Sequence, residues 1–358
     1  MQSLDEKMWE PISIGKQFIL CRGRESKSTV EEGGVLPFVS AKNTDNGYRM
    51  FVKTSKTKID GNTLSLNNNG DGGAGFGYYQ PHEYTVDVNA TALIPHQEVP
   101  FDCYIGLFWT GCFTWMHEYF GNARTLSNKR AEMTKILLPV DDKGNPDYAY
   151  MAEYTRQKRD EMLDKYRKYA EKRVAELGDF VEIPALDEKE WVHFKIPEIF
   201  ATIQRGKRLK NADHVAGIIP YVSSTANNNG VDDYIEVTPG TRVFRDCISL
   251  ANSGSVGTAF YEPFEYVASD HVTALKTEGM SKYVYLFLTS TIEKQGSNFN
   301  FNREVNDARI KNMQVMLPVT DSGEPDYEYM EQYSKNMMFR KYQQYLEFIN
   351  RQNVTEVE

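Results

Sequence analysis

The chain has 358 residues, with 41 Lys and Arg against 50 Asp and Glu and a formal net charge of −9. Hydrophobic residues make up 41% and charged residues 25%, the composition of a globular protein rather than a disordered one. The length suits two domains with cores of their own, and the acidic balance excludes a chain coated all over with positive charge.

The first residues, MQSLDEKMWEPISIG, show no basic stretch leading into an apolar one, so no secretory signal is expected. No uncharged apolar run reaches the roughly 18 residues of a membrane span. YIGLFWTGCF from residue 104 is too short. Cys21, Cys103, Cys112 and Cys247 form no CxxC pair and read as reduced thiols of a cytoplasmic protein. Cys112 and His117 come nearest to a ligand pair, but structural zinc needs four ligands, and no metal site is expected.

From residue 22 onward the chain alternates β-rich runs with Gly- and Asn-rich turns: LPFVSA, YRMFVKT, YTVDV, and later IIPYVSS and YVYLFLT, all read as strands. LPV at 138–140 opens a loop punctuated by Gly144 and Pro146. Asp147 follows at a helix N-terminus, where a carboxylate complements the helix dipole. No Pro or Gly interrupts the chain until Gly178, which predicts a helix from Asp147 to about Leu177.

The second half repeats the first. LLPVDDKGNPDYAYMAEY (137–154) and MLPVTDSGEPDYEYMEQY (316–333) share eleven of eighteen positions at an offset of 179. RGR (22–24) matches RGK (205–207), and LPFVSAKNTDNG (36–47) matches IPYVSSTANNNG (219–230). SLNNNGDGGAGFGYYQPHEY (65–84) matches SLANSGSVGTAFYEPFEY (249–266) with two residues fewer. Two copies are too few for a solenoid, so the chain reads as a duplicated α+β domain. Its expected parts are 1–146, a helix over 147–179, 180–325, and a second helix over 326–358, the last running from Asp326 to about Gln352. Met151, Tyr154, Met162, Tyr166 and Tyr169 recur at helical spacing, as do Met330, Tyr333, Met337, Tyr345 and Phe348. These stripes are expected to pack the two helices as an antiparallel, coiled-coil-like pair. Thirty residues would make a rod of about 45 Å.

Few constellations carry chemistry. The glycine-rich Gly70–Gly77 lacks the GK[ST] end of a phosphate loop and loses most glycines in the second copy, so it reads as a tight turn. Asn145-Pro146-Asp147-Tyr148 superficially resembles a methyltransferase tetrapeptide, but its repeat is Glu324-Pro325-Asp326-Tyr327 and both open helices. No nucleophile–base arrangement is duplicated, so no catalytic machinery is expected. What remains is bunched basic charge: Arg22, Arg24 and Lys27; Lys53, Lys56 and Lys58; Arg124, Lys129 and Arg130; and Arg205, Lys207, Arg208 and Lys210. Two of these bunches occupy matching positions, each followed by a strand and an Asn-rich loop. Lys42 and Asn43 lie in one loop, and Thr225, Asn227 and Asn228 in the other. Such side chains suit phosphates and base edges, although a charged run is equally a solvated face.

With the duplicated LPV-x-D-x-G-x-PDY-x-YM segments (138–151 and 317–330), each leading into a helix, nearly the whole chain resembles a specificity subunit of a restriction–modification system. The stretches Gly70–Pro81 and Ser253–Pro263 also resemble recognition-domain elements. The resemblance implies two target recognition domains separated by two spacer helices, each domain reading one half of a split site in double-stranded DNA. It implies a non-catalytic chain without a cofactor, with S-adenosylmethionine, and Mg2+ for cleavage, held by adenine-N6 methyltransferase or fused methyltransferase–nuclease partners. The P-P-L-x-E-Q-like helix opening common in type I subunits is absent, which brings the chain closer to the BcgI-like, type IIB branch. A duplicated scaffold or carbohydrate-binding protein is the alternative from another class.

Overall fold

The computed structural model describes residues 2–69, 73–120, 125–296 and 305–355, with the side chains of 295, 296 and 352–355 left aside. The chain divides into two compact units, Met1–Tyr166 and Arg167–Glu358, so the first long helix straddles the boundary.

In the first unit an antiparallel four-stranded sheet runs in the order Phe18–Arg22, Ala90–Pro95, Thr63–Asn67, Gly77–Gln80. A smaller sheet places Glu32–Val39 between Tyr48–Val52, antiparallel, and Thr85–Val86, parallel. A two-stranded ribbon joins Trp9–Ser13 to Lys135–Pro139. The core lies between the larger sheet and the helix Cys103–Cys112. Leu64, Leu66, Leu93, Trp109, Phe113 and Ile136 are buried there, and Met151 reaches it from the first long helix.

The second unit repeats this topology. Its larger sheet has the order Thr202–Arg205, Val272–Lys276, Cys247–Ala251, Ala259–Glu262, and its ribbon pairs Trp191–Lys195 with Gln314–Pro318. Its smaller sheet gains a fourth strand, Val243–Phe244, where the first unit has only the single bridge between Ile59 and Tyr84. The repeat seen in the sequence is thus a repeat of strand order and register, down to the helices Asn128–Met133 and Asp307–Asn312 that precede the closing ribbon strands.

One expected strand is a helix. YVYLFLT lies within the helix Lys282–Gly296. Val284, Leu288 and Ile292 are buried at four-residue spacing, and the hydroxyls of Thr289 and Thr291 donate to carbonyls four residues back. Packing against the sheet overrides the β-propensity of Tyr, Val and Phe in so apolar a run.

The long helices span Tyr148–Leu177 and Tyr327–Thr355, and Gly178 follows the first in the left-handed region. Their openings explain the most repeated segment of the sequence. Asp147 Oδ1 accepts the Tyr150 N–H at 2.9 Å while Oδ2 accepts Lys7 Nζ at 2.7 Å. Asp326 does the same with the Tyr329 N–H at 3.0 Å and Lys189 Nζ at 2.8 Å. Burial pushes both carboxyls up, but the lysine and backbone hydrogen bonds outweigh it, so both titrate below the ordinary aspartate range.

The aromatic stripe divides. Met151 and Met330 are buried in the cores of their units, and Tyr154 and Tyr333 pack against those cores. Met162, Tyr166, Tyr169 and Phe348 are exposed, Met337 is just exposed, and Tyr345 is half-buried. Elsewhere on the helices of the second unit Ala170, Leu177, Tyr329, Ser334, Asn336 and Ile349 are buried. The exposure of Met162 and Phe348 corrects the expectation that every large side chain of the stripes is buried in the seam; beside Phe348 it is Ile349 that lies inside. In that unit Tyr169 meets Tyr342, Phe180 meets Phe339, and Pro184 O accepts the Tyr329 hydroxyl. The segment from 169 to 184 therefore runs antiparallel to 342–329.

Candidate nucleic-acid interface

In each unit the basic turn begins where the first strand of the larger sheet ends, at Arg22 and at Arg205. The next residue is glycine because the backbone of a neighbouring segment lies against it. A Cβ on Gly23 would stand 2.0 Å from the Asp87 carbonyl, and one on Gly206 would stand 2.1 Å from that of Ser269. The R-G-[RK] repeat is thus a crossing point that sends the following side chains outward. Arg24, Lys27, Lys207, Arg208 and Lys210 are exposed. Arg24, Lys27, Arg208 and Lys210 have no ion-pair partner among the described residues. Lys207 Nζ donates to the Gly240 carbonyl at 3.1 Å. Arg205 is half-buried, with Nε on the Asp270 carbonyl, and Arg22 is partly desolvated, which lowers its pKa against the opposing pull of Asp87.

The first unit brings its two basic bunches together. Glu25 is 1% exposed, and Oε1 accepts the Lys56 N–H at 2.8 Å, the Thr57 N–H at 3.2 Å and the Ser55 hydroxyl at 3.1 Å. Oε2 accepts the Thr29 hydroxyl at 2.8 Å. Burial pushes this carboxyl up, but the donors from Thr29, Lys56, Ser55 and Thr57 prevail and hold it below the usual glutamate range. Lys56 is exposed and unpaired among the described residues, whereas Lys53 is paired with Glu31 at 2.6 Å and Lys58 with Glu83 at 2.8 Å. Sequence reasoning missed Glu25, which counted only as one acid within a basic run. The signal was there in RGRESK: an acid that the second copy replaces with Arg208.

The Asn-rich loops turn at left-handed asparagines, Asn46 with φ 55° and Asn229 with φ 52°. Asn43, Asn227 and Asn228 are exposed, Lys42 is paired with Asp45, and Thr225 Oγ1 accepts the Asn227 N–H at 3.2 Å. Beneath the first loop Asn46 Nδ2 donates to Tyr79 O at 2.9 Å, and Gln80 Nε2 donates to Asn46 O at 3.1 Å and to Ser65 Oγ at 2.9 Å. In the second unit the place of Gln80 is taken by Glu262, fully buried, with Oε1 accepting the Ser249 hydroxyl at 2.8 Å and Oε2 without a partner. Burial pushes this carboxyl up to about 7, with Ser249 opposing.

The glycine-rich stretch is a close-approach loop where it is described. A Cβ on Gly75 would stand 2.6 Å from the Met116 backbone. Gly70, Asp71, Gly72 and Arg124 lie outside the described residues. Among the described residues no three His, Cys, Asp or Glu side chains converge as a metal site would require. No described helix is long and apolar enough to cross a membrane. Away from the basic turns, both units present apolar side chains at matching positions: Leu107 and Leu137 in the first, Leu286 and Met316 in the second. The second pair lines a groove of about 620 Å³ with Trp191, Tyr333 and Met337.

Residues 188–347 match the type I restriction modification DNA specificity domain family. Over 314 residues the chain is 28% identical to the specificity subunit S.BcgI of a type II restriction enzyme from Heyndrickxia coagulans, covering 87% of this chain and 88% of that one. The crystal structure of a type I restriction–modification S subunit from M. genitalium aligns over 99% of this chain and 96% of its own, with a TM-score of 0.52 at 15% identity. That likeness establishes the fold.

Proposed function

We propose that the chain is a DNA specificity subunit of a restriction–modification system, as the family match over residues 188–347 and the likeness to S.BcgI support, and that each unit reads one half of a bipartite site in double-stranded DNA. The observation that carries this reading is the duplication of one arrangement on two non-identical units: a strand end, a glycine crossing, outward basic side chains and a left-handed asparagine loop. Arg24, Lys27 and Lys56 in the first unit, and Lys207, Arg208 and Lys210 in the second, supply phosphate contacts that set register. Asn43, Thr225, Asn227 and Asn228, on the adjoining loops, are the base-edge readers. Different loop residues in the two copies then specify different half-sequences. A spacer helix of 30 residues is about 45 Å long, somewhat more than one turn of DNA at about 34–36 Å.

Specificity subunits are in general not the catalytic members of their complexes, and we assign the chemistry to partners. The likeness to S.BcgI over most of the chain favours a type IIB arrangement, in which a fused methyltransferase–nuclease supplies both reactions. In this proposal the partner brings S-adenosylmethionine, the pocket for a flipped adenine, and Mg2+ for cleavage. It docks on the matching apolar faces around Leu107 and Leu137, and Leu286 and Met316, and on the exposed helix row Met162, Tyr166 and Tyr169. The cytoplasm, where the genome lies, is the compartment such a system needs.

Binding of the full-length chain to a fluorescein-labelled duplex tests the interface. Arg208→Ala and Lys210→Ala are each expected to weaken affinity and lower the slope of log K against log salt by about 0.9 per lost phosphate contact. An unchanged slope in both variants would remove this turn from the interface.

A further inference from the structure

Glu25 is a buried acid in the most basic sector of the first unit. Charge alone does not account for it: a carboxylate beside Arg24, Lys27, Lys53, Lys56 and Lys58 repels phosphate and weakens long-range attraction. Its geometry does. The Glu25 backbone is fixed to the smaller sheet, with its N–H donating to Val86 O at 3.2 Å and its carbonyl accepting the Val88 N–H at 2.8 Å. Its side chain takes the N–H groups of Lys56 and Thr57 and the hydroxyls of Ser55 and Thr29. Two segments that carry basic side chains, 24–29 and 53–58, are thus held to one carboxylate at 1% exposure. A carboxylate accepts at both oxygens and has no donor to misplace, so it is the one side chain that can satisfy this many donors at once.

We infer that Glu25 is a positioning residue for DNA recognition by the first unit, holding the 53–58 loop so that Lys56 and the 24–27 turn meet the same stretch of DNA backbone. This rests on the reading of these turns as a DNA interface. The second unit does without it, because Arg208 stands at the matching place and Lys207 and Arg242 tie the corresponding turn together through the Gly240 and Arg205 carbonyls.

The test uses Glu25→Gln in the full-length chain, measured against a fluorescein-labelled DNA duplex of mixed sequence over a range of salt. The substitution removes a negative charge, so a purely electrostatic effect would tighten binding. Positioning predicts the opposite sign: affinity falls about tenfold, and the salt slope drops by one to two contacts' worth at about 0.9 each. Loss of folded protein would lower the active fraction but would not change that slope. Lys56→Ala added to Glu25→Gln is expected to cost no more than either alone. Thr29→Val, which removes one donor at an exposed position, carries the same test in weaker form should Glu25→Gln fold poorly. Tighter or unchanged binding by Glu25→Gln, with Lys56→Ala weakening binding in the parent chain, would overturn the inference alone. No effect of Lys56→Ala or Lys27→Ala on either affinity or slope would overturn the interface reading of this unit beneath it.

Discussion

Gln80 and Glu262 occupy the same place under the two asparagine loops, and their difference has a measurable consequence. Gln80 has donors and acceptors for each of its neighbours, while Glu262 offers an oxygen that nothing meets. The titratable groups bearing on Glu262 are Cys247, on the paired strand, and Tyr266. Burial pushes both of those up, so both are neutral and neither supplies a positive charge. With its folded pKa raised from the ordinary 4.5 to about 7, the folded protein binds more protons than the unfolded chain between those values. Its contribution is therefore fully present below about pH 4.5 and is lost as pH rises through 7. At about 1.4 kcal/mol per pH unit, the loss amounts to about 3 kcal/mol. Glu262→Gln is expected to raise the melting temperature at pH 8, with the advantage shrinking toward pH 5. An advantage of equal size at both pH values, or a variant less stable at both, would contradict this account. None of this was legible in the sequence, where E-P in the second copy and Q-P in the first look like an ordinary surface exchange. Burial of the position emerges only when the sheet is formed.

The elements were the most legible scale where local chemistry decides them. Asp147 and Asp326 after Pro, and Gly178 after an unbroken run, mark helix ends by mechanisms that need no tertiary context. The second helix opening makes this quantitative. Asp326→Ala removes the cap and strands Lys189, itself mostly buried, and should lower stability by about 2 kcal/mol. Asp326→Asn keeps the cap and loses only the ion pair, so it should cost about half that or less. Chemical denaturation of the three proteins checks the order, and equal losses for Ala and Asn would mean that the ion pair, not the cap, holds the turn. Where packing decides, the sequence misled. YVYLFLT is a helix because Val284, Leu288 and Ile292 find a sheet to cover, and Phe348 is exposed while its neighbour Ile349 is buried. Periodicity weighted by size selected buried and exposed positions alike.

At the scale of the whole molecule, the duplication was plain from the 137–154 and 316–333 segments alone, and the strand order of the two units repeats it. The residues that would read DNA were legible only as a composition, basic and Asn-rich at matching places. The carboxylate that organises one of them was not, since its role depends on donors some thirty residues away. The net charge of −9 is compatible with a reader because the exposed basic side chains are gathered on a few turns. The central claim, that each unit specifies its own half-site, is tested most directly by mapping the modified bases in DNA treated with the assembled complex. The mapping is done with the chain as it is, and with residues 1–146 replaced by 180–325. The account predicts an interrupted site with two different half-sequences for the first, and a site containing the second half-sequence twice for the other. An uninterrupted site, or an exchange that leaves both half-sequences unchanged, would contradict it.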